Sequence, residues 1–174
     1  MGGSLLGSVS TPSPALVVYQ GRGDKLELVH TVQCDQHVYL LSPCPSGAVV
    51  QLVDGSVLYL VLEGDQASLQ PSDVQFPALC SPVIWTVHGV LGLTIRYRLY
   101  LDNKELGSNI TSLALHSHFL LATTLVHRLV SKPLSELTTT TTTWASVSTR
   151  RLVCVVPRHS KTVLQMPRGN LEVT

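Results

Sequence analysis

Apolar positions along the chain fall into short runs broken by turn formers, and no window carries the 3.6-residue period of an amphipathic helix. Ala15-Leu16-Val17-Val18-Tyr19 predicts a strand stopped by Gln20-Gly21-Arg22-Gly23-Asp24. From Leu26 to Val32 the period is two: Leu26, Leu28 and Val32 share one face with His30, while Glu27, Val29 and Thr31 share the other. That pattern predicts a half-buried strand. Val38–Leu41 follows as a strand, ending in the turn Ser42-Pro43-Cys44-Pro45-Ser46-Gly47. Ala48–Val53 and Ser56–Leu62 flank Asp54-Gly55, a pair that tolerates positive φ and predicts a tight primed hairpin turn.

Downstream, Glu63–Pro77 reads as a polar connection. Val83–Val87 is a strand ended by His88-Gly89, and Ile95–Leu101 alternates, with Arg96 and Arg98 on one face. Ile110–Leu115 and Phe119–Thr124 make a further pair across His116-Ser117-His118. Near the C-terminus, Arg151–Val156 and Thr162–Met166 are two β-rich runs separated by the turn Pro157–Lys161. Strands recurring about every 8–12 residues predict an all-β sandwich, barrel or propeller. At four strands and about 40–45 residues per propeller blade, the length matches roughly four blades of antiparallel four-stranded sheet.

The organisation predicted is a loose Gly/Ser/Pro-rich segment over 1–14, blades over 15–131, a low-complexity exposed loop over 132–149, and final strands over 150–174. The loop contains six consecutive threonines, Thr138–Thr143.

Composition narrows the class further. The chain of 174 residues is 44% apolar but only 13% charged, about half the usual charged share. That balance fits strands buried on both faces. The most apolar window, Leu113–Val130, contains His116, His118, His127 and Arg128, which excludes a membrane-spanning helix there. No membrane association is expected. The N-terminus has no basic region followed by a long apolar core, so no signal peptide is expected. Asn109-Ile110-Thr111 fits a glycosylation pattern but reads as a turn entering a strand. Cys34, Cys44, Cys80 and Cys154 are irregularly spaced, without zinc-type pairing, and read as free thiols of a reducing compartment. A net charge of +1 makes no global demand for nucleic acid.

Candidate chemistry is sparse. His116 and His118 would share a strand face, but nothing nearby completes a metal-ligand set, so they read as a polar turn. No nucleophile elbow, phosphate loop or paired carboxylate stands out, and neither catalysis nor a cofactor is expected. The one charge cluster is Arg150, Arg151, Arg158, His159, Lys161 and Arg168. Alternation would place part of it on one solvent face, either as a contact surface for phosphate or an acidic partner, or as a basic edge that deters unwanted pairing.

Three stretches carry a resemblance. Val163-Leu164-Gln165-Met166-Pro167-Arg168-Gly169-Asn170-Leu171-Glu172, after Val155-Val156-Pro157 and Lys161, is similar to the end of the β-propeller region in the family of the largest Elongator subunit. Asn109-Ile110-Thr111-Ser112 with Phe119–Thr124, and Gln51–Gly55, resemble earlier strand pairs of that family in the right order. The resemblance implies two WD40-type propellers followed by a helical solenoid, in a non-catalytic scaffold that holds the acetyltransferase and other Elongator subunits. It implies support of wobble-uridine modification in tRNA, with direct or indirect tRNA contact, in a dimeric complex. The implied location is cytoplasmic, with the nucleus as a second compartment. The chain departs from the family by starting inside the propeller region, stopping where the solenoid should begin, and carrying the threonine tract. Dimerisation is therefore not expected of this segment, and a partial propeller with open edges is expected to be unstable alone. The rival classes are a generic propeller adaptor unrelated to tRNA and, far behind, a Ser or Cys hydrolase.

Overall fold

The computed structural model describes residues 13–139 and 144–147. Among them the chain is all-β apart from one short 3-10 turn, and it divides into two units, Met1–Gln75 and Phe76–Thr174.

The first unit opens with β1 (Ala15–Arg22) and β2 (Lys25–Gln33), an antiparallel two-stranded sheet. It continues with β3 (Val38–Cys44), β4 (Gly47–Leu52), β5 (Ser56–Glu63) and β6 (Gln66–Gln75), paired in chain order. Leu16, Cys34, Val50, Leu52 and Leu60 form its buried cluster. The second unit has β7 (Cys80–Thr86), β8 (Gly89–Thr94), β9 (Arg98–Leu101) and β10 (Lys104–Ser108) in one sheet. Its other sheet is β11 (Ile110–His116), β12 (Phe119–Thr124), β13 (Leu129–Pro133) and β14 (Ala145–Ser146). Both sheets contribute to one core, with Leu91, Leu93, Leu99 and Leu101 meeting Leu106, Ile110, Leu120, Ala122, Val130 and Leu137. Each four-stranded sheet is a meander in strict chain order, the unit of which propeller blades are made. Against the roughly four blades expected, the described residues hold three such sheets and one two-stranded sheet.

The β4–β5 and β11–β12 hairpins form where the pattern placed them. Other details differ, each for a physical reason. The connection over 63–77 contains β6, whose burial alternates despite its polar composition. As an edge strand it tolerates Pro71. The alternating run Ile95–Leu101 is strand only from Arg98, because Ile95, Arg96 and Tyr97 form a turn. The strand β8 was hidden by Gly89 and Gly92. Gly92 is required: a Cβ there would lie 2.7 Å from the Phe76 ring and 2.8 Å from Cys80 Sγ. The strands β10 and β13 also escaped the pattern.

The expectation of a half-buried β2 is corrected: Leu26 is 73% exposed and Leu28 56% exposed. The hairpin packs only at its base, where Leu16 faces Val32. The stretch 132–149 is not wholly an exposed loop. It holds the 3-10 turn Leu134–Glu136 and β14, Lys132 is 1% exposed, and Leu137 is completely buried. Burial lowers the Lys132 ammonium from its ordinary value, partly offset by Glu136. Cys34, Cys44 and Cys80 form no disulfide, and Cys154 lies outside the described residues. Cys34 and Cys80 are buried, and burial pushes Cys80 up to about 12. Among the described residues no helix is long and apolar enough to cross a membrane.

Candidate interaction surface

The basic cluster Arg150, Arg151, Arg158, His159, Lys161 and Arg168 lies outside the described residues, as do the strands expected over 150–174. His116 ends β11 and His118 stands across Ser117, whose φ of 51° makes the tight turn between strands. Asn109, with φ 63°, turns the chain into β11, as its sequence context suggested. Among the described residues no group of three or more His, Cys, Asp or Glu is placed to hold a metal ion.

What the structure does bring out is one turn repeated in all three four-stranded sheets, between the second and third strands. After β4, the Gly55 amide donates to the Leu52 carbonyl at 3.0 Å, and Gly55 has φ 86°. Asp54 is not left-handed, so this is a turn closed by one left-handed residue and not the tighter primed turn expected. Ser56 donates to Asp54 Oδ1 through its hydroxyl and its amide, which holds the Asp54 carboxyl below its ordinary range. After β8, the Tyr97 amide donates to the Thr94 carbonyl at 3.0 Å, with Tyr97 at φ 62°. After β12, the His127 amide donates to the Thr124 carbonyl at 2.9 Å, with His127 at φ 58°. In the last two turns the threonine hydroxyl also accepts from the amide of the following arginine, Arg98 or Arg128, at 3.2 Å.

The second unit clamps its two turns onto one dipeptide. The Ile110 amide donates to the Tyr97 carbonyl at 3.0 Å, and the Leu125 amide donates to the Asn109 carbonyl at 2.9 Å. The two turns so anchored carry four apolar residues exposed to solvent: Ile95 is 78% exposed, Val126 67%, and Tyr97 and Leu125 43% each. The guanidinium of Arg98 is engaged with Glu105 at 3.2 Å. Beside the β12–β13 turn lies an open hollow of about 520 Å³, with Asn109, Leu125, Val126, Arg128 and Trp144 in its wall. The Trp144 indole lies over Gly107, where a Cβ would meet Nε1 at 3.3 Å. Among the described residues no carboxylate lines this hollow. The groups on this surface are apolar side chains, cations and backbone groups, which suit recognition. One signal for this surface is visible along the chain, the recurrence of Thr-apolar-X-X-Arg at Thr94–Arg98 and Thr124–Arg128.

Comparison with known proteins places the fold in a family. Residues 14–158 match the family model described as the ELP1 N-terminal second beta-propeller. Elongator complex protein 1 of Oryctolagus cuniculus is 34% identical over 148 residues, covering 71% of this chain and 11% of that protein. The putative elongator complex protein 1 of Xenopus laevis is 31% identical over 199 residues, covering 90% of this chain and 17% of that protein. Elongator complex protein 1 of Mus musculus is 34% identical over 175 residues, covering 86% of this chain and 13% of that protein. The chain thus spans less than a fifth of these relatives' length. The match covers all three of the four-stranded sheets, so the sheets are blades and the all-β partial propeller expected from the sequence holds. This chain belongs to the family of the ELP1 N-terminal second β-propeller.

Proposed function

We propose that this chain acts as a non-catalytic scaffold region of an Elongator-type complex and supports wobble-uridine modification of tRNA through protein–protein contact. The observation that carries the reading is the family match across residues 14–158. The surface chemistry agrees with it, since the exposed turns offer apolar and cationic groups for recognition. The partners in this reading are the other Elongator subunits, the acetyltransferase among them, in a cytoplasmic complex. In the same reading Arg150, Arg151, Arg158, Lys161 and Arg168, which lie outside the described residues, supply a second contact surface for a partner or for tRNA phosphate.

The test is affinity capture from cells expressing the tagged chain. Recovery of the acetyltransferase subunit, with loss of wobble-uridine modification when the chain is deleted, is the expected result. Capture of neither that subunit nor another Elongator subunit would overturn the reading.

A further inference from the structure

We propose that the β8–β9 and β12–β13 turns, with the hollow beside Trp144, form a docking surface for an extended acidic peptide segment that carries apolar side chains. The proposal does not depend on which complex the chain serves.

Strain is the first argument. The left-handed position of this turn is filled by Gly55 in the β3–β6 sheet but by Tyr97 and His127 in the second unit. Glycine adopts that conformation freely and histidine is tolerated there, whereas tyrosine is uncommon in it. The same turn is made with glycine after β4, so the turn geometry does not itself call for the Tyr97 side chain at this surface.

Exposure is the second. Ile95, Tyr97, Leu125 and Val126 are all solvent-facing, and the backbone bonds to Asn109 and Ile110 bring the two turns that carry them next to each other. An apolar patch of this kind beside a hollow walled by an indole suits apolar anchor residues of a partner.

Charge selects the occupant. Arg96 and Arg128 project from the two turns, and neither makes an ion pair with a described residue. The nearby Glu105 is engaged with Arg98. An acidic segment would gain two charge contacts here, and the described lining of the hollow beside Arg128 carries no carboxylate to oppose it. Nucleic acid fits less well, because phosphate binding draws on many cations, and apolar groups dominate this patch.

The test uses the whole chain and two synthetic peptides, one alternating Glu with Leu and Phe, the other with Lys in place of Glu, plus a short oligouridine RNA. Binding is read by fluorescence anisotropy. The acidic peptide binds, the lysine peptide and RNA do not, and Arg128→Glu weakens binding at least about tenfold. Tyr97→Gly weakens it similarly while leaving the turn intact, because glycine already fills this position after β4. Failure of the acidic peptide to bind, equal binding of the lysine peptide, preference for RNA, or full affinity in both variants would overturn the proposal.

Discussion

Tyr97 and Ile110 are joined backbone to backbone: the amide that opens β11 donates to the carbonyl of a left-handed tyrosine at 3.0 Å. This bond ties the turn of one blade to the first strand of the next, so the conformation of Tyr97 bears on the junction between blades. A left-handed L-residue costs about 1–2 kcal/mol. Tyr97→Gly removes that strain but adds chain entropy to the unfolded state, leaving stability unchanged or raised by up to about 1 kcal/mol. Tyr97→Val places a β-branched residue in the same conformation and lowers stability by about 1–2 kcal/mol. The denaturant midpoint of the glycine variant should therefore lie at or above that of the parent, and that of the valine variant below it.

Gly92 and Phe76 interlock in the core of the second unit. Gly92→Ala sets a methyl against the buried Phe76 ring and Cys80 Sγ, and overpacking of this kind costs about 1–3 kcal/mol. Phe76→Leu in the Gly92→Ala background should recover part of the loss. A double-mutant cycle reads this directly, and strict additivity would rule out the contact.

Leu137 sits fully buried after a 3-10 turn, in a stretch whose composition reads as loop. Leu137→Ala empties a site shared with Leu106, Ile110 and Leu120 and should cost about 2–5 kcal/mol. A cost typical of an exposed position, about 0.5 kcal/mol or less, would show that the turn is not part of the core.

The Cys80 thiol gives a pH dependence with a definite sign. Its pKa rises from 9.0 to about 12 on burial. Between those values the folded chain holds the proton that the unfolded chain releases, so this contribution is complete below 9.0 and is lost as pH rises toward about 12. The parent should lose stability over that window faster than Cys80→Ala, although the variant starts lower for want of packing. Parallel curves from chemical denaturation at increasing pH would contradict the assignment.

The β1–β2 hairpin should show graded amide exchange. Leu16 and Val32 pair at its packed base, whereas Gly21 pairs with Leu26 at its exposed end. Two strands alone are marginal in water, so the outer end should exchange far faster than β4 or β8, both largely buried. Uniform protection along the hairpin would mean that a further element covers it.

Sequence alone determined the all-β class, because turn formers and period-two alternation are local properties that need no knowledge of neighbours. It also located the hairpins at Asp54-Gly55 and at His116-Ser117-His118, where turn chemistry is carried by the residues themselves. The Gln165-Met166-Pro167-Arg168-Gly169-Asn170-Leu171-Glu172 run pointed to the family, although it lies outside the described residues. Only tertiary structure decided the rest. The strand β8 is buried along nearly all of its length, so it shows no alternation to read. Exposure of Leu26 and burial of Leu137 invert what their local sequence implies, because burial depends on which elements pack against a residue. The candidate surface is of the same kind. Thr94–Arg98 and Thr124–Arg128 are 30 residues apart along the chain, and their turns come next to each other because Asn109 and Ile110 bond to both.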